Sequence, residues 1–336
     1  YGACGRSALT HKLQLCLMST LEDHPNERGA RGEMVEPDER IPTELFKVPI
    51  AQRVSLQDYP TAWLGTESMQ KLAVDELKDR AARYLDEKTA ELAETQEVLA
   101  ADNRYGVLLI FQGMDAAGKD GTIKRVTQGV NPAGFHVVSF KQPSRTDLDH
   151  TYLWRYIKEL PEHGLIGIFN RSYYEEVCVV RVHPELIAER SMPYREIDQT
   201  FWQERFDDMN DLEKHLVRNG TLVIKFFLHI SKEAQKGRLM KRLTDEEKHW
   251  KFSMDDLTAR NRWDDYQLAF EDMLSNTSTP WAPWHVIPAD HKWVMRALVA
   301  HIVNSQIRTL SLRYPPTDVA KIKAVREAIK ALKNEP

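Results

Sequence analysis

The chain has 336 residues, 42% of them hydrophobic and 29% charged, with a formal net charge of -4. That balance supports a sizeable core and excludes a disordered or fibrous chain, while the length allows either two domains or one large α/β unit. A net negative charge also excludes attraction of the whole molecule to nucleic acid, so a polyanion would have to meet a local basic patch.

No apolar run reaches the roughly 20 residues a membrane-spanning helix needs, which speaks against a membrane protein. Cys4, Cys16 and Cys178 lack paired or metal-type spacing, which points to a reducing, cytoplasmic compartment. Cys178 lies in an apolar run and reads as a small buried hydrophobe.

The chain opens on Tyr1 without periodicity, and Met18 reads as an alternative start. Residues 1–66 read as a polar, extended arm, because Glu22 to about Pro60 is rich in Pro, Glu and Arg. Either a solvated tail or an arm that embraces a second copy fits this composition. From Met69 to Leu99, apolar residues recur among charges at helical spacing, which predicts a long amphipathic helix.

Short apolar runs at Val107–Phe111, Val137–Phe140, Ile166–Phe169, Leu222–Leu228 and His285–Ile287 have the character of strands buried on both faces. Helical patterns fall between them at Thr122–Val130, Asp147–Leu160, Glu196–Arg218, Lys232–Leu243 and His291–Leu312. Such alternation predicts an α/β fold with a doubly wound parallel sheet and helices on both faces. Ligands of such sheets bind beyond the carboxyl ends of the strands.

The first strand runs straight into Gly113-Met-Asp115-Ala-Ala-Gly118-Lys119-Asp120-Gly121-Thr122, and a helix pattern follows. The spacing is that of a P-loop, G-x-x-x-x-G-K. Its backbone N–H groups, from Gly113 through Ala116, Ala117 and Gly118 to Thr122, can cradle phosphate while Lys119 reaches phosphoryl oxygens. Asp120 stands where Ser or Thr normally supplies a Mg²⁺ ligand. Asp115 is odder, because a carboxylate beside phosphate is repulsive unless a cation lies between them, so it reads as metal-facing or catalytic. The plainer reading is a Gly-rich turn with its lysine in solvent.

At the tip of the third strand stand Asn170 and Arg171, where P-loop enzymes carry a metal-binding carboxylate. Either Asn170 coordinates through its carbonyl oxygen or Asp115 holds most of the metal. The planar fork of Arg171 can bridge two phosphoryl groups. Further on, Lys236, Arg238, Lys241 and Arg242, then Lys248 and Lys251, mix with aromatic residues over about 241–265. They make either a cationic helical lid over the phosphate site or a solvated charged helix pair. Lys141, Arg145, Lys124 and Arg125 are candidates for a basic groove, each equally readable as a surface charge.

Together these residues resemble one known family. The run Phe111 to Thr122 is similar to the phosphate loop of the polyphosphate kinase 2 family. So are Phe169-Asn-Arg-Ser-Tyr-Tyr-Glu175, Val179-Val-Arg181-Val, Asn219-Gly-Thr and Lys225-Phe-Phe-Leu-His-Ile-Ser231. Glu247 to Phe252, Trp263-Asp-Asp-Tyr266, Thr277 to Trp284 and Ile287 to Trp293 extend the likeness, which covers roughly Glu67 to Leu312.

The resemblance implies a thymidylate-kinase-like domain over 67–314 with a lid, leaving a C-terminal helical tail at 315–336. It implies Mg²⁺-dependent, reversible phosphoryl transfer from inorganic polyphosphate to AMP or ADP, or their guanine equivalents, with Mn²⁺ as an alternative metal. Asp115, Lys119 and Arg171 would be catalytic, with Asp115 and Asn170 toward the metal. Lys241, Arg242, Lys248 and Lys251 would close the lid, while Asn170, Tyr174, Glu175 and Arg181 would border the nucleotide. Asn170 departs from family members with Asp there; with Asp120, it resembles the branch accepting AMP as well as ADP.

A homodimer or homotetramer is expected, and no specific nucleic-acid partner. The rival readings are an ATP-dependent nucleoside-monophosphate kinase and a non-catalytic polyanion-binding P-loop module.

Overall fold

The computed structural model describes residues 41–335, so Cys4, Cys16, the alternative start at Met18 and most of the expected arm lie outside the described residues. The first helix, α1 (Val74–Asp102), ends where Asn103 turns left-handed at φ 51°. Then come β1 (Gly106–Gln112), α2 (Lys119–Val126), β2 (Phe135–Ser139) and the short turns α3 (Arg145–Leu148) and α4 (Trp154–Ile157). They are followed by β3 (Ile166–Asn170), α5 (Glu175–Val182), α6 (Glu185–Ala188), α7 (Gln199–Arg218) and β4 (Thr221–His229). The chain continues through α8 (Lys232–Thr244), α9 (Met254–Asn261), α10 (Trp263–Thr277), β5 (Trp284–Pro288), α11 (Lys292–Arg308) and α12 (Val319–Lys333).

All five strands are parallel, in the order β2-β3-β1-β4-β5. β1 is central and buried along its whole length, which explains why its sequence is an unbroken apolar run. α11 packs with α1 and α2, and α5 and α7 pack with α10, so both sheet faces are covered. Because β1 pairs with β3 in register Phe111↔Asn170, the two chemically unusual stretches emerge side by side at the carboxyl edge. The direction of winding reverses about β1, which opens the crevice such sheets use for ligands.

The structure alters three expectations. β2 is an edge strand, and Val137 is half exposed, so it is not buried on both faces. The helix expected over Asp147–Leu160 is instead two short turns, α3 and α4, with Ser144 and Asp147 forming a capping box that starts the first of them. Residues 41–58 are no extended arm. Phe46, Val48, Val54 and Leu56 are buried, and the Val48 N–H donates to Trp284 O at 2.9 Å, covering the open edge of β5. The tail does form a helix, α12, none of whose side chains is buried.

Candidate active site

The loop between β1 and α2 is held by backbone geometry that its residues can just provide. Gly113 has φ 142°, and a Cβ there would stand 2.6 Å from Leu228 O, so the close approach of β1 to β4 admits only glycine. Gly118 caps α2 in the left-handed region, and Ala116 also carries a positive φ of 61°. An alanine in that region stores strain, of the kind found at ligand clamps. α8 holds the loop from outside. Gln235 Nε2 donates to Asp115 O at 3.0 Å, and Arg238 donates to Ala116 O at 3.0 Å and Ala117 O at 2.7 Å.

Lys119 is buried beneath this loop, its ammonium donating to Gly113 O at 2.6 Å and Met114 O at 3.2 Å. Burial, reinforced by the nearby Arg171 cation, lowers its pKa to about 8. Across the loop, Arg171 takes a positive φ of 66° at the tip of β3, with its N–H donating to Phe111 O at 3.0 Å. Its fork grips two carboxylates, with Nη2 on Asp115 and Nη1 on Glu175 at 2.9 Å. Glu175, opposed by burial and helped by Asp115, keeps the guanidinium charged well above its ordinary value. Burial would raise the Asp115 carboxyl, but Arg171, Lys119 and Arg242 outweigh it and hold the group ionised below its usual range.

Asn170 Nδ2 donates to Asp120 and, at 3.3 Å, to Ser139 Oγ. The polar pair of an ordinary P-loop enzyme is therefore present with its parts exchanged. The carboxylate stands after the loop lysine, and the neutral partner stands on the strand. Among the described residues no group of three or more His, Cys, Asp and Glu is gathered to hold an ion. Asp115, Asp120 and Asn170 nevertheless offer the oxygen donors a divalent cation takes beside phosphate, one or two carboxylates completed by substrate phosphates and water.

Of the residues expected in a lid, Arg242 comes nearest the loop carboxylate. Arg242 on α8 pairs with Asp256 on α9 at 2.8 Å and lies near enough to act on Asp115. Burial, and then the charge of Asp115, raise the Asp256 carboxyl. Lys248 pairs with Asp245, and Lys251 is exposed, its ammonium 4.9 Å from the ring of the exposed Trp250. Lys241 is exposed, and beside it lies a cationic cluster the sequence did not single out. Lys292 and Arg296 on α11 project there, and the charges acting on Lys292 are the cations Arg238, Arg296, Lys241 and Lys248. Arg296 Nε is buried without a hydrogen-bond partner, and its Nη2 would lie 3.3 Å from a Cβ on Gly121.

Other expected site residues are placed elsewhere. Tyr174 is fully buried, its hydroxyl donating to Glu213 at 2.7 Å, so its ring lies in the core. Arg181 pairs with Asp272 at 2.6 Å in the last turn of α5 and lines a cavity of about 260 Å³ with Arg53, Val54, Leu268 and Glu271. It lies six positions along the helix from Glu175, about 9 Å along the axis. Lys141 is exposed, and Arg145 is exposed with Asp149 at 3.6 Å. Gln235 and Asp256, like Lys292 and Arg296, had no site role in the sequence; only the return of α8 and α9 over the loop reveals one for them.

A parallel sheet with this strand order, a P-loop after its central strand and basic helices folded over the loop define a P-loop kinase-type phosphotransferase. The family model for polyphosphate kinase 2 matches residues 75–314, and the chain belongs to that family. It is 44% identical over 288 residues to an ADP-polyphosphate phosphotransferase of Rhodopseudomonas palustris, covering 84% of this chain and 96% of the relative. An AMP/ADP-polyphosphate phosphotransferase of Meiothermus ruber is 43% identical over 250 residues, 74% of this chain and 90% of the relative. The crystal structure of polyphosphate kinase 2 from Arthrobacter aurescens matches with a TM-score of 0.76 and 34% identity, covering 86% of this chain and 98% of that one.

Proposed function

We propose that this chain transfers a phosphoryl group reversibly from inorganic polyphosphate to AMP or ADP, with Mg²⁺ or Mn²⁺. The observation that carries the reading is the Asp115–Arg171–Glu175 bridge, all three of whose charges act on buried Lys119. Phosphoryl transfer needs in-line positioning and neutralisation of spread negative charge more than covalent chemistry. Lys119 and Arg171 supply two fixed cations on opposite sides of the loop. When polyphosphate enters, Arg171 can exchange a carboxylate for phosphoryl oxygens at little geometric cost, because its fork is already aimed.

A divalent cation supplies charge neutralisation between the carboxylate and the phosphates, and Asp115, Asp120 and Asn170 are the groups that would hold it. Polyphosphate has no base to recognise, so its groove should be cationic and featureless. The cluster of Lys241, Lys248, Arg238, Lys292 and Arg296 has that character. Arg171, Glu175 and Asn170 would border the acceptor.

The names of the two relatives support ADP and AMP as acceptors, and guanine equivalents belong to the same reading. Cytoplasmic residence and a homodimer or homotetramer complete the proposal. The first rests on cysteines without paired spacing, Cys178 being buried and free; sedimentation measures the second. Among the described residues no helix is long and apolar enough to cross a membrane.

The test is a donor–acceptor matrix of polyphosphate or ATP against AMP, ADP, GMP and GDP. ADP or ATP should form from polyphosphate with no ATP present. Formation of neither rejects the proposal, and ATP serving AMP while polyphosphate stays inert replaces it with a nucleoside-monophosphate kinase.

A further inference from the structure

Beneath the Arg171 turn lies a polar cluster sealed from solvent, in the middle of an otherwise apolar core. Lys225, at the centre of β4, and Glu213, on α7, both have 0% exposed side chains and meet at 2.6 Å. Every donor of the ammonium is used: on Glu213, on the Tyr174 hydroxyl at 2.9 Å and on Thr277 O at 2.7 Å. The other carboxylate oxygen of Glu213 accepts from Tyr173 at 2.8 Å and from Tyr174 at 2.7 Å. The rings of Tyr174 and Trp284 lie 5.2 and 5.1 Å from the ammonium, and Trp284 Nε1 donates to Thr277 Oγ1 at 2.8 Å.

A buried ion pair of this kind adds little stability over apolar side chains of equal volume, because desolvation offsets the attraction. What it does add is a single allowed arrangement. Each hydroxyl has one satisfactory position, and an unmet donor or acceptor here would be costly. Tyr173 and Tyr174 are separated from Arg171 only by buried Ser172, whose Oγ accepts from Gln112 at 3.4 Å and from the Tyr174 N–H at 3.3 Å. Arg171 itself sits at φ 66°, a conformation an arginine keeps only when its surroundings impose it.

We infer that Glu213 and Lys225, acting through Tyr173 and Tyr174, are positioning residues that lock the left-handed Arg171 turn and so aim its guanidinium at the phosphate loop. None of them touches substrate. The inference rests on the phosphotransfer reading above, and it explains why the strand beside β1 carries a lysine where apolar side chains would pack.

Two variants test it. Tyr174→Phe removes one hydroxyl and little volume; Glu213→Leu with Lys225→Met replaces the pair by apolar side chains. Each should lower kcat by about tenfold or more, as expected for a misaimed catalytic group, with KM for polyphosphate and AMP changed less than about twofold. The double variant leaves the Tyr173 and Tyr174 hydroxyls and Thr277 O without these partners, so it should melt somewhat below the parent temperature. Amide hydrogen exchange should quicken across Asn170–Glu175 while β1 keeps its protection.

A stable double variant with parental kcat overturns the inference, as does a loss confined to KM. Should the double variant fail to fold, Tyr174→Phe decides alone: parental kcat and parental exchange reject the positioning role. A parent protein inactive toward polyphosphate would instead refute the phosphotransfer reading, whatever the exchange pattern shows.

Discussion

Lys119 offers a first test of the site. In the free protein its ammonium serves loop carbonyls, and burial lowers its pKa to about 8. A phosphoryl oxygen in contact with it favours the charged form and raises that value. The sign follows: as pH rises through about 8 the free protein loses this proton, so polyphosphate affinity falls, and binding near pH 8 takes a proton up. Calorimetry in two buffers of different ionisation enthalpy measures the uptake. Equal heats near pH 8 would remove Lys119 from contact with the anion. Asn170 offers a second test, since its amide donates to Asp120. Asn170→Asp would put two carboxylates there, raising the pKa of one. A folded-state carboxyl raised above its unfolded value gives stability at low pH that is lost as pH climbs through the folded pKa. The variant should therefore melt lower than the parent near neutrality without metal, keep its stability in acid and gain more from Mg²⁺. Parallel melting curves across pH, with and without chelator, check this.

At the scale of elements, helical phase and strand register decide what the sequence could disclose. The strands were readable because β1, β3 and β4 are buried apolar runs, and the phosphate loop was readable because its glycines fall at fixed spacing. Tyr174 was not, because a residue beside Glu175 lies about 100° away around a helix, which here turns it into the core. Lys225 gave no warning inside an apolar run, since its partner Glu213 comes from a different element. The segment 41–58 was opaque for a related reason. Its four buried apolar residues are scattered among polar ones, and their burial depends on the edge of β5, far along the chain. α12 presents the opposite case: a helix with no buried side chain, beginning beyond the 75–314 family match. Removing everything after Tyr314 should leave kcat and KM within about twofold and the melting temperature nearly unchanged, as for surface changes generally. A larger loss would mean that α12 meets the substrate or a second copy. Starting the chain at Leu64, by contrast, removes Phe46, Val48, Val54 and Leu56, each contributing about 1.5–3 kcal/mol by burial, and should destabilise the fold severely.

For the molecule as a whole, a formal charge of -4 coexists with a substrate that is a chain of negative charges. The conflict is resolved locally. Lys292 has Arg238, Arg296, Lys241 and Lys248 as charged neighbours and Arg296 also feels Arg125, while carboxylates such as Asp86, paired with Arg125, are exposed on α1. A long polyphosphate reaching past the loop would meet this cluster, whereas a short oligomer held by Lys119 and Arg171 would not. Salt screens exposed charges over roughly 8–10 Å at physiological strength, so the outer part of the track should weaken first as salt is added. KM for long polyphosphate should then rise steeply with ionic strength, and KM for a short oligomer more gently. Replacing Lys292 and Arg296 by alanine should mimic high salt. Since an exposed ion pair contributes about 0.2–1 kcal/mol, KM for the long chain should rise by up to roughly fivefold per charge removed. KM for the short oligomer and for AMP should hardly move, and neither should kcat. Steady-state rates with size-fractionated polyphosphate at two salt concentrations give all four quantities. An equal effect on long and short donors would show that the chain leaves the loop by another route, with Lys141 and Arg145 beyond β2 the next cations to replace.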